Sequence, residues 1–163
     1  MRELTQTVIG ESGNCWQTCV ACILDVDPAE LPDQSKIERV IGRDESGKIV
    51  RAGYFNNPVQ AYLRDHHGMT LGHVYAHLLG AMRVTSMGGL HLAYGPTVRT
   101  PSLGTEHVVV AREGRTIWDP HPSRAGLVKA TSWGVFTECP AEWDLVESRK
   151  RNPCVCPRCL AAG

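Results

Sequence analysis

From Leu90 onward the chain changes texture. Residues 90–94, 107–111, 115–118 and 133–137 are rich in β-branched and aromatic side chains and are separated by glycine and proline turns, which predicts strands. Upstream, apolar residues recur at helical spacing. Trp16, Val20, Ile23 and Leu24 follow the turn residues Ser12, Gly13 and Asn14, and Asp25 to Pro28 provide a polar exit with a proline stop. Residues 57–67 predict a second helix, with Pro58 at its first position, Val59, Tyr62 and Leu63 on one face, and Gly68 as the C-cap. Shorter signals predict helices over 33–41 and 76–82, a turn at 44–47 and a strand over 69–74. Helices followed by a run of strands predict an α+β domain.

The chain of 163 residues, 42% hydrophobic, is long enough to bury one core, and residues 1–148 are read as a single domain followed by a cysteine-rich tail over 149–163. Seventeen basic residues balance seventeen acidic ones without a basic block, so neither nucleic acid nor an anionic membrane is an expected partner. The first residues lack the apolar stretch of a secretion signal and no apolar run reaches membrane-spanning length. A cytoplasmic location is therefore expected. There the seven cysteines should serve as free thiols, metal ligands or catalytic groups.

Cys15 is the cysteine that a helix start would activate. Asn14 has the chemistry of an N-cap, accepting a bond from an amide two or three residues on, and Cys15 then occupies the first helical position. Free amides and the positive end of the helix dipole favour thiolate there, lowering a pKa that is otherwise about 8.5. Cys19 and Cys22 follow at i+4 and i+7 and read as small buried hydrophobes.

A nucleophilic thiol needs a base, and the base needs a group that fixes its tautomer. Residues 105–122 offer both. If Arg112, Glu113 and Gly114 form a three-residue hairpin loop, Ala111 pairs with Arg115 and His107 comes to lie opposite Asp119 on one face. A two-residue loop at Glu113-Gly114 instead pairs His107 with Pro120 and turns Asp119 to the other face. His121, held between Pro120 and Pro122, is the rival base.

Two other chemistries compete for the cysteines. Cys15, Cys19 and Cys22 have the spacing by which radical S-adenosylmethionine enzymes hold a [4Fe-4S] cluster, although that motif belongs to a loop of a βα series this chain lacks. In the tail, Cys154, Cys156 and Cys159 are candidate ligands of a structural zinc, with Cys139 or a histidine as the fourth donor. His66, His67, His73 and His77 read as core or surface residues, Trp16 as packing behind the nucleophile, and Trp118 and Trp133 as sheet core.

Gly13-Asn14-Cys15-Trp16 resembles the Gly-Ser-Cys-Trp of papain-like cysteine peptidases, and the order Cys, His, Asp is also theirs. With Cys19-Val20-Ala21 and Asp119-Pro120-His121-Pro122-Ser123, the pattern is similar to small C39-peptidase-like proteins of bacteria and their phages, across most of residues 5–137. The resemblance implies a helix carrying Cys15 packed on an antiparallel sheet carrying His107 and Asp119. It implies acyl transfer through a thioester, without a cofactor, on a peptide, protein or small amide. It equally accommodates a non-catalytic module that binds peptide in the same cleft. In that family a glutamine six residues before the nucleophile donates to the oxyanion. Here Ile9 has that position, and Gln6, three residues further upstream, is the candidate donor with the Cys15 N–H.

Overall fold

The computed structural model describes residues 1–10, 13–32, 41–43, 49–51, 58–75, 88–99, 106–139 and 161. Its residues gather into two compact units, one from 1–28 and 71–136, the other from 29–70 and 137–163. Helix and strand are mixed. Helix α1 spans Cys15–Leu24, a 3-10 turn Pro28–Glu30, strands β1 and β2 Ile41–Arg43 and Ile49–Arg51, and helix α2 Pro58–His67. Strands β3 to β7 follow as Met69–Tyr75, His91–Gly95, His107–Arg112, Arg115–Trp118 and Ser132–Glu138.

The strands β3 to β7 form one antiparallel sheet in the order β3-β7-β4-β5-β6. Its middle is set by composition. All of β4 and the first five residues of β5 are buried, as the unbroken apolar run from Val108 to Ala111 requires of a strand covered on both faces. Tyr94 pairs with Val108 and Leu92 with Val110, while Ala93 pairs with both Val109 and Trp133. Ala93, Val109, Ala111 and Trp133 therefore share one face, and Leu127 and Ala130 pack against them. Helix α1 lies along β5 and β4, where the Trp16 indole donates to Tyr94 Oη at 2.9 Å. Strand β6 closes the sheet with Arg115, Thr116 and Ile117 exposed.

In the second unit, β1 pairs with β2 antiparallel, and α2 ends where the Gly68 N–H bonds Arg64 O, with Gly68 at φ 62°. The predicted helix over 33–41 lies outside the described residues except for Ile41, which is in β1. The predicted turn at 44–47 and helix over 76–82 lie outside them too, as does the boundary between 148 and 149.

Of the two hairpin loops that the sequence leaves open, the structure has the shorter. Arg112 pairs with Arg115 and Ala111 with Thr116, so the loop is Glu113-Gly114 alone, with φ 49° and 74°. Positive φ at both positions is what a two-residue turn needs to match the twist of its strands, and Gly114 adopts it without steric cost. Farther along, the register shifts and Val110 pairs with Trp118. Ile117 is thus an extra residue on β6, a bulge.

Candidate active site

The bulge decides where Asp119 points. A two-residue loop by itself reverses the alternation of side chains and turns Asp119 away from His107, and one extra residue reverses it again. Val110 opposite Trp118 returns Asp119 to the face of Val109 and His107. There Asp119 Oδ1 lies 2.7 Å from His107 Nε2, and both residues are buried.

The carboxylate is held from several sides. Its Oδ1 also accepts the His121 N–H at 2.8 Å, Oδ2 accepts the Gly126 N–H at 2.8 Å, and Arg99 Nη1 stands 3.7 Å from Oδ2. Burial opposes ionisation of Asp119, yet the bond from His107 and the two backbone donors outweigh it and hold the carboxyl far below the usual carboxylate range. His107 shows the converse. Burial disfavours its charge, but the bonds to Asp119 and to the Cys15 side chain raise its pKa to about 9.

The imidazole thus bridges Asp119 and Cys15. Since Nε2 faces the carboxylate, Nδ1 is the nitrogen left for the thiol. Burial alone would raise the Cys15 pKa, and His107, through its hydrogen bond and charge, together with backbone bonds from Val108 and Trp16, brings it below the ordinary thiol value. Cys15 is at the first position of α1, and Asn14 makes no side-chain cap bond, contrary to its predicted role. The field at the N-terminus of α1 acts on the same side of the balance.

Asn14 does something else. Its Oδ1 accepts the N–H groups of Thr7 and Val8 at 3.2 and 3.0 Å, and its Nδ2 donates to Thr7 Oγ1 at 3.1 Å. The residue before Cys15 therefore ties the N-terminal arm to the start of α1. That arm carries Gln6, whose N–H bonds Pro120 O at 2.9 Å, next to Asp119. The Gln6 side chain is buried, Nε2 donates to Val8 O at 2.9 Å, and Oε1 is buried without a partner. Nε2 also lies 3.6 Å from where a Cβ on Gly13 would stand, two residues from Cys15. Gln6, Cys15, His107 and Asp119 all belong to the first unit.

Cys19 and Cys22 are fully buried, and the Cys19 thiol donates to Val108 O at 3.4 Å. Burial pushes the Cys19 thiol well above its ordinary range and raises Cys22 as well. The three cysteines read as a possible cluster motif thus lie along a continuous helix, two of them in the core. The rival base His121 turns its Nδ1 to Ser123, accepting the Ser123 N–H at 3.1 Å. Its ring meets that of His107 edge-on at 6.1 Å between centroids. Trp133 is core, but Trp118 is only half-buried and stacks beneath the Arg124 guanidinium, 3.8 Å from its ring centroid.

No group of three or more His, Cys, Asp or Glu side chains among the described residues is arranged to hold a metal. Cys154, Cys156, Cys159 and His77 lie outside those residues. No helix among the described residues is long and apolar enough to cross a membrane. Arg99, Arg124 and Gly126 reach Asp119 across loop spacings that carry no periodic signal in the sequence. No family model, curated protein or solved structure matches the chain.

Proposed function

We propose that the chain is a papain-like thiol hydrolase acting on an amide or ester bond of a peptide, protein or small amide. The observation that carries this reading is the chain of contacts from the Cys15 thiol through His107 to the buried Asp119 carboxylate, with the Cys15 pKa lowered and that of His107 raised to about 9. The lowered thiol and the raised imidazole both favour the thiolate–imidazolium pair, the reactive form of a cysteine nucleophile.

In the reaction, the Cys15 thiolate adds to the carbonyl carbon and the C=O electron pair moves onto oxygen. The oxyanion forms beside the amides at the start of α1, and the Gln6 amide is the proposed second donor. Collapse of the adduct re-forms the carbonyl and expels the leaving group, which takes the proton from His107 Nδ1. Water then gives a proton to His107 and attacks the thioester, and the carboxylic product departs as thiolate and imidazolium are restored. Asp119 keeps the imidazole in the tautomer and orientation that serve both steps. Cys15, Cys19, Cys22 and Cys139 are free thiols, which accords with work in the reducing cytoplasm.

Iodoacetamide at pH 7 should modify Cys15 faster than any other cysteine, and His107→Ala should remove that preference. A panel of peptide, amide and ester substrates should then show turnover by the wild type and none by Cys15→Ser. Slow, even labelling of several thiols would sink the catalytic reading and leave a peptide-binding module.

A further inference from the structure

Arg124 is placed as no surface arginine needs to be. Its φ is 52°, in the left-handed region that non-glycine residues rarely occupy, and its N–H closes a turn onto His121 O at 2.9 Å. From there the side chain turns back on its own loop. Nη1 donates to the Asp119 carbonyl, Nη2 donates to Thr5 Oγ1 at 2.7 Å, and the guanidinium plane covers the Trp118 ring at 3.8 Å. Trp118 is in turn fastened to the N-terminal arm, its Nε1 donating to Leu4 O at 2.8 Å, and Gln6 N–H bonds Pro120 O.

Two strips of chain run side by side here, residues 4–6 and 118–120, and one planar cation spans them. One strip carries the proposed oxyanion donor Gln6 and the other the proposed triad carboxylate Asp119. A guanidinium suits this place because its fixed fork serves two acceptors at once while its face stacks on an aromatic ring, and an ammonium on a flexible stem does not do all three. We propose that Arg124 is a positioning residue that, beside the Trp118–Leu4 and Gln6–Pro120 bonds, locks the arm bearing Gln6 to the turn bearing Asp119 and so holds oxyanion donor and triad in register. The proposal rests on the thiol-hydrolase reading above.

Two probes of the full-length protein separate the effects. Alkylation by iodoacetamide needs only the Cys15 thiolate, so its pH profile reports on Asp119 and His107. Acylation by p-nitrophenyl acetate, read as a nitrophenolate burst, needs the oxyanion donors as well. Arg124→Lys should slow acylation about tenfold and move the alkylation midpoint upward by about half a pH unit, the scale of loss that small misplacements of catalytic groups produce. Thr5→Val, which keeps side-chain shape and removes only the Nη2 partner, should slow acylation about threefold and leave the alkylation profile in place.

Wild-type rates with both probes in both folded variants, or a lowered melting temperature with unchanged rates, would overturn the proposal. If Arg124→Lys does not fold, Thr5→Val decides by the same readings. Failure of the underlying hydrolase reading shows in the wild type itself, as an absent burst or unselective labelling, and would overturn both.

Discussion

Asp119 meets His107 at 2.7 Å although the hairpin loop between them has the wrong length to bring them together. The two-residue turn sets Asp119 on the far face, and the extra residue Ile117 brings it back. The bulge on an exposed edge strand is thus part of the site, since it re-aims a side chain at the rim of a sheet.

Deleting Ile117 should therefore act like removing the carboxylate itself. The variant should keep the α+β circular dichroism spectrum of the wild type, because Ile117 is exposed at the edge of the sheet, and lose selective alkylation of Cys15. Preserved selectivity would mean that Asp119 does not set the state of His107.

Asp119→Asn tests the carboxylate without changing its shape. The amide cannot hold His107 as an imidazolium, so the His107 pKa should fall from about 9 toward its ordinary value, visible by NMR of the imidazole. Turnover should fall by about four orders of magnitude, the loss seen when a triad carboxylate becomes an amide.

The shifts also fix the pH dependence. The proposed mechanism needs thiolate on Cys15 and a proton on His107, so activity should rise through the lowered Cys15 pKa and decline as pH passes about 9. Stability follows the same groups. The raised His107 pKa contributes stability fully present below about 6.5, the unfolded value, and lost as pH rises through about 9. The depressed Asp119 pKa contributes stability present above the unfolded value and lost only in strong acid, as pH falls through the folded one. Melting temperatures from pH 5 to 10 should decline toward the upper end in the wild type and much less in Asp119→Asn.

Gln6→Ala should slow acyl transfer by about two to three orders of magnitude, as loss of an oxyanion donor does elsewhere, while iodoacetamide labelling of Cys15 stays fast. Equal loss with both probes would assign Gln6 a structural role only.

Gly95, paired with His107, has no room for a side chain. A Cβ there would stand 2.0 Å from Lys129 O, a backbone atom that cannot swing aside. Gly95→Ala should cost about 1–3 kcal/mol by overpacking, measurable in urea melts, and should loosen the residues that cover the His107 face.

Much of this site was legible as chemistry. A cysteine after Gly13-Asn14, a histidine opening an apolar strand and an aspartate before Pro120 named the three groups, and the change of texture at Leu90 placed helix before sheet. Their register was not legible. Nothing in Arg115-Thr116-Ile117-Trp118 marks a bulge, because no glycine or proline interrupts the strand. A three-residue loop at Arg112-Glu113-Gly114 would also put His107 and Asp119 on one face, and a two-residue loop without a bulge would not. Relative to the three-residue loop, the shorter loop and the bulge each shift the register by one residue, and a shift of two restores the face but not the partner.

The sequence by itself determined the residue types and the local conformations, because helix starts, helix stops and strands are written in spacings of a few residues. Its reading of Asn14 as a helix cap was local too, and failed because the side chain found three partners in Thr7 and Val8 instead. Tertiary structure alone decided which groups meet. Thr5 and Arg124 lie 119 residues apart in the chain and bond to each other, and the arm that carries Gln6 is fixed by Asn14 and Pro120. Such contacts depend on long-range packing and hydrogen-bond satisfaction, which no short window of sequence encodes.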